Sequence, residues 1–197
     1  MTGGMMSDLS DHFPLRRGRT HEVFGPGALG FAFALAGQMG GPVLWIVEAW
    51  RSDQINPVGF SLYLDVEKLL LARAGNPDEV LAVAEEALRS GAVTLVVLEV
   101  SQPLSLIAGR RLQLAAEAGK ATGLCIIPEG MGSNAAQTRW HCAPLFDPQD
   151  STLQRWALKK NKSGTLSLWD VRWDAQTRRI IVVSKAGERP GIAGAAN

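Results

Sequence analysis

Apolar positions change their period along this chain, and each change predicts an element. Val80, Val83, Ala84, Ala87 and Leu88 recur at helical spacing. Asn76 supplies an N-cap, Pro77 the first helical position and Asp78 and Glu79 an acidic first turn, while Gly91 stops the helix. Residues 92–100 then form a nearly unbroken aliphatic and β-branched run, the pattern of a strand buried on both faces. The alternation continues with a helix over 107–118, a turn bracketed by Gly119 and Gly123, and a short strand over 124–127 ended by Pro128. Upstream lie a strand over 42–47, the almost wholly apolar helix 29–39 and a short strand at 22–24. Strands alternating with helices predict a parallel α/β sheet.

After Trp140 the texture becomes alternating and polar-interrupted. Segments 154–159, 165–173 and 178–183 are separated by Asn161-Lys162-Ser163-Gly164 and Asp174-Ala175-Gln176-Thr177, which predicts antiparallel strands joined by turns at the C-terminal edge of the sheet. Residues 1–20 are polar and end in the basic run Leu15-Arg16-Arg17-Gly18-Arg19, and residues 184–197 are rich in Gly, Ala and Pro, so both are expected to be flexible tails flanking one domain over 21–183.

The 197 residues are 46% hydrophobic, enough for a buried core, and the net charge of +1 points to no partner class. That charge is unevenly divided: −5 over residues 1–100 and +6 over 101–197. The longest apolar stretch, 28–36, falls short of the roughly 18 residues a membrane span requires, and no apolar leader opens the chain. Cys125 and Cys142 make neither a disulfide framework nor a zinc pattern, and His12, His21 and His141 are scattered, so no metal and a cytoplasmic location are expected.

The most informative segment is Gly25-Pro26-Gly27-Ala28-Leu29-Gly30-Phe31-Ala32, between a short strand and an apolar helix. Gly25 and Gly30 keep the spacing of a P-loop, but Phe31 and Ala32 stand where a phosphate-binding lysine and a magnesium-binding hydroxyl are needed. Without that charge and metal clamp no useful ATPase activity and no cofactor are expected, and Phe31 and Ala32 are expected to pack in the core. Around this frame, residues 88–99 resemble the helix, turn and Walker B strand of the RecA recombinase family, and Trp156-Ala157-Leu158-Lys159-Lys160-Asn161-Lys162 resembles its late strand. Glu99 takes the place of the Walker B aspartate, and Ala49 or Trp50 falls near the family's catalytic glutamate. The resemblance implies a RecA-like fold with a degenerate nucleotide site.

A closer resemblance is to the ImuA family, RecA-like accessory proteins of bacterial damage-induced mutagenesis. It is carried by His21-Glu22-Val23, residues 30–36, Val43-Leu44-Trp45, Leu62-Tyr63-Leu64-Asp65 with residues 69–74, Arg110-Arg111 through Glu117, and Ala135-Ala136-Gln137-Thr138-Arg139-Trp140. The resemblance implies a non-catalytic adaptor in SOS-induced translesion synthesis. Its implied partners are ImuB, an inactive Y-family polymerase homologue, an error-prone C-family DNA polymerase reached indirectly, and RecA itself. Two other readings are a cell-division inhibitor like SulA, which is also RecA-like without a working P-loop, and an unconventional ATPase or recombinase paralogue.

Glu48 and Glu99 both close predicted parallel strands, where α/β sites gather, but no lysine, histidine or serine of obvious spacing accompanies them, so hydrogen-bonded structural roles are expected. Gly59-Phe60-Ser61-Leu62-Tyr63 lacks the second glycine of a nucleophile elbow and reads as a loop or helix start. Trp140, Trp156, Trp169 and Trp173 are interleaved with Arg139, Arg155, Lys159, Lys160, Lys162 and Arg172. Such a stretch serves as core beneath a lysine-protected sheet edge, as a protein interface or as a single-strand DNA surface. The interaction candidates are Trp156, Lys159, Lys160, Lys162, Trp169, Trp173, Arg178, Arg179, Lys185 and Arg189.

Overall fold

Residues alternate along the central strands between two hydrophobic layers, which is why those strands read as unbroken apolar runs. The computed structural model describes residues 8–185. In β2 (Val43–Glu48) Val43, Trp45 and Val47 face one cluster and Ile46 the other; in β4 (Leu95–Glu99) Leu95 and Val97 oppose Val96 and Leu98. Helices α3 (Pro77–Ser90) and α4 (Leu106–Gly119) cover the second layer through Val80, Ala84, Leu88, Leu112, Ala115 and Ala116. The cap of α3 forms as the sequence predicts: Asn76 Oδ1 accepts from the Glu79 N–H at 2.9 Å, and Gly91 closes the helix.

The sheet has nine strands in the order β3-β2-β4-β5-β1-β6-β7-β8-β9. Strands β1 (Thr20–Phe24), β2, β3 (Leu69–Ala74), β4, β5 (Thr122–Ile126) and β6 (Thr138–Pro144) run parallel. Strands β7 (Gln154–Asn161), β8 (Leu168–Asp174) and β9 (Arg179–Lys185) add antiparallel. The expected mostly parallel α/β sheet with an antiparallel C-terminal edge is therefore observed.

Helix α1 (Ala28–Met39) is apolar nearly all round because it is enclosed on more than one side. Its Phe31 and Leu35 pack on the central strands, while β8 and β9 fold back across its far end. There Gln38 Oε1 accepts from the Ile180 N–H, Trp173 donates its indole N–H to the Leu62 carbonyl at 2.9 Å, and Arg178 pairs with Asp65 at 2.6 Å. Between β2 and β3 lies a single helical turn, α2 (Pro57–Phe60), whose cap is the Asn56 side chain.

Three expectations change. Residues 8–19 are not a flexible arm: Leu9, Phe13 and Leu15 are buried, and Phe13 packs its ring 4.9 Å from Trp156 and 5.5 Å from Phe31. Apolar residues spaced among the polar ones anchor this segment, and a reading of average polarity hides them. Strand β3 is absent from the expected elements because Leu69-Leu70-Leu71-Ala72-Arg73-Ala74 consists of strong helix formers; pairing with β2 overrides that preference. Strand β6, parallel to β1, is likewise absent from the expected elements, while the antiparallel strands begin at Gln154 as expected.

Candidate functional site

The glycine turn lies at the carboxyl end of β1, inside the sheet between β5 and β6. Its geometry is a closed strand-to-helix turn. Gly25 has φ +95°, and a Cβ there would sit 2.6 Å from the Cys142 carbonyl oxygen, so a side chain is excluded twice over. The Gly27 N–H donates to that same Cys142 carbonyl at 2.8 Å, and Ala28 N–H donates back to the Gly25 carbonyl at 3.1 Å. Gln154 lays its side-chain amide against Gly27 and Gly30 and accepts from the Trp156 indole at 2.9 Å. Phe31 and Ala32 are fully buried; Phe31 meets Trp156 edge-on at 4.6 Å and Trp140 at 5.4 Å. The turn is thus closed against β6 by the Gly27 N–H and against β7 by the Gln154 side chain.

The two strand-end carboxylates are held by partners that sequence spacing did not reveal. Glu99 accepts the Trp45 indole N–H at 2.7 Å on one oxygen and the Arg51 guanidinium at 2.6 Å on the other. Glu48 accepts from Ser101 Oγ and from the indole of the exposed Trp50, each at 3.0 Å. The serine partner of Glu48 has no obvious sequence spacing: Ser101 comes from the loop after the neighbouring strand, 53 residues away. Both carboxylates are spent on hydrogen bonds.

Beside Glu99 opens a pocket of about 380 Å³, walled by Leu29, Phe33, Ile55, Phe60 and Leu71, with Arg51 and Arg73 among its polar groups. Arg73 donates to the Arg51 carbonyl at 3.0 Å, which fixes the loop over the pocket. Leu71 and Arg73 belong to β3, the edge strand of the parallel side, where Leu70 and Leu71 are exposed on opposite faces. An edge strand with no proline and with exposed leucines on both faces is open to pairing with another chain.

A third constellation surrounds Glu22, which is fully buried on β1. Its carboxylate accepts from Arg139 Nε and from the Ser133 N–H, each at 2.7 Å. Arg139 also donates to the Ser133 carbonyl at 2.9 Å, and Lys160 donates to the carbonyls of Ser133 and Asn134. Lys162 reaches the Ala135 carbonyl at 2.7 Å. Burial, with Arg139 and Lys162 nearby, lowers the Lys160 pKa below its ordinary value. These cations clamp the loop before β6.

The interaction candidates therefore separate. Trp156, Trp169 and Trp173 are buried and fill the core beneath β7 and β8, so they present no face to a partner. Lys160 and Lys162 hold the loop, and Arg178 is ion-paired with Asp65. Lys159, at the bulge in the β6–β7 pairing, and Arg179 are exposed. Lys185 ends β9, and its side chain, like Arg189, lies outside the described residues. Burial raises the thiol pKa of both Cys125 and Cys142, and among the described residues no group of three or more His, Cys, Asp or Glu could hold a metal ion. No described helix is long and apolar enough to cross a membrane.

No family model matches the chain, and no curated protein matches it.

Proposed function

We propose that this chain is a non-catalytic RecA-like adaptor of the ImuA kind, acting in damage-induced translesion DNA synthesis. In this reading it binds ImuB, reaches the error-prone C-family polymerase through it, and makes a second contact with RecA. The observation that carries the non-catalytic part is the closed glycine turn, with the Gly27 N–H engaged by the Cys142 carbonyl and Phe31 buried where a phosphate-binding lysine would project. A phosphate group has neither the lysine charge nor that backbone donor available to it.

The open edge of β3 supports the binding part. An extended segment of a partner adding to this edge gains main-chain hydrogen bonds, and its alternate side chains lie over Leu71 and Arg73 toward the pocket.

Pull-down of the purified chain against ImuB and RecA, with nucleotide omitted throughout, tests the reading. Capture of ImuB without ATP, lost in Leu71→Asp, supports it. Capture of neither by folded protein overturns it, and capture of a tubulin-like division protein instead establishes the SulA-like alternative. A thermal shift with magnesium and ATP addresses the third reading, because a ligand at a hundred times its Kd stabilises by about 2.7 kcal/mol.

A further inference from the structure

The basic run Arg16-Arg17-Gly18-Arg19 is fixed to the end of the sheet by its backbone. The Arg16 carbonyl accepts from His21 Nε2 at 3.0 Å, the Gly18 N–H donates to the Ala121 carbonyl at 3.0 Å, and the Gly18 carbonyl accepts from Gln113 Nε2 at 3.2 Å. With φ +67° Gly18 makes the turn between the Arg16-Arg17 pair and Arg19. Main-chain groups are thus turned inward, and the Arg16 and Arg17 side chains are left exposed.

Two lysines lie beside them, one at the end of a helix and one in the turn after a strand. Lys120 is exposed at the C-cap of α4, one residue before Ala121. Lys162 follows β7; its exposed ammonium spends one of its three donors on the Ala135 carbonyl at 2.7 Å, and its backbone N–H donates to the Gln137 carbonyl while the Gln137 N–H donates to the Thr20 carbonyl, which ties it across β6 to β1. Glu117, 3.3 Å from Arg19, is the carboxylate paired into this group. None of the exposed large apolar side chains belongs to residues 16–19, 120–122 or 161–164.

We infer that this end of the sheet binds the phosphate backbone of double-stranded nucleic acid without reading its sequence. Arginine and lysine on a rigid base supply the charge, and the fixed backbone means that little ordering is needed on binding. Four adjacent strands, β5, β1, β6 and β7, span about 14 Å, comparable to on the order of four phosphates along one strand of B-form DNA. An acidic peptide fits less well, since this surface offers no exposed apolar anchor, and the lack of exposed aromatic rings removes any preference for unstacked single strands. The inference does not depend on the adaptor reading, which uses the β3 edge.

The test is fluorescence anisotropy of the full chain with a labelled 24-base-pair DNA duplex between 50 and 200 mM salt, with polyglutamate as competitor. Expected are binding at the low-salt end, a slope of log K against log salt between about −2 and −4, and at least a ~10-fold affinity loss in Arg16→Ala/Arg17→Ala. The Arg110→Ala control on the outer face of α4 is expected to bind as the unmodified chain does. Absence of binding at 50 mM salt, a flat salt dependence, unaltered affinity in the double variant, or competition by polyglutamate as effective per charge as unlabelled duplex would each overturn the inference. Both arginines are exposed, so the double variant is expected to keep the parent melting curve, and a lower one disqualifies it in favour of Arg17→Ala/Lys120→Ala, read by the same affinity loss.

Discussion

Trp45 donates its indole N–H to Glu99 at 2.7 Å, joining the middle of β2 to the end of β4 within the core. The carboxylate that ends β4 is thereby made part of the packing. Trp45→Phe keeps most of the ring's burial but leaves one Glu99 oxygen without its donor, and a loss of about 1–3 kcal/mol is expected. Urea unfolding measures it, and a loss no greater than a few tenths would show that the bond carries little.

His21 makes stability depend on pH in a defined window. Burial pushes its pKa down from 6.5 to about 4, opposed by its bond to the Arg16 carbonyl and assisted by the nearby Arg19 charge. The unfolded chain therefore binds more protons than the folded one between those two values. Stability is full above pH 6.5 and falls as pH drops toward 4, by up to ~3 kcal/mol from this group. Asp65, held down to about 2 mainly by its hydrogen bond with Arg178, titrates below this window. Urea midpoints from pH 4 to 7.5 are expected to slope less in His21→Gln than in the parent; parallel slopes would refute the assignment.

Arg139→Met strands the buried Glu22 carboxylate, which is expected to cost about 3–5 kcal/mol. Glu22→Gln/Arg139→Met removes both charges and is expected to recover a large part of that loss. Thermal or urea unfolding of the two variants gives the comparison directly.

Phe31→Ala is expected to cost about 3–5 kcal/mol, because the ring is enclosed by Phe13, Trp140 and Trp156. Phe31→Lys, which rebuilds the lysine of a P-loop, is expected to destabilise at least as much and to gain no thermal shift with magnesium and ATP.

Leu71→Asp changes an exposed edge residue, so its expected stability effect is within about 0.5 kcal/mol while partner capture is lost. Unfolding and pull-down on the same preparation separate the two.

Sequence patterns were strongest where neighbouring residues decide the outcome. The caps of α3, the two-sided burial of β4 and the core packing of Phe31 are written in consecutive positions. The Glu99 partners were illegible because Trp45 and Arg51 reach it from another strand and the loop that follows. Strand β3 was hidden for a related reason: Leu69 to Ala74 take strand form only once Val43 to Glu48 lie beside them. The anchoring of residues 8–19 needed Trp156, which lies more than 130 positions later, to make Phe13 a core residue.

The enclosure of α1 also sets the order in which the protein can be completed during synthesis. Gln38 receives the Ile180 N–H across 142 positions. At about 5–20 residues per second a ribosome takes on the order of ten seconds to add them. Throughout that interval the apolar helix has been made and the strands that close its far end have not. A nascent chain of this design carries an uncovered apolar helix end until β8 and β9 emerge.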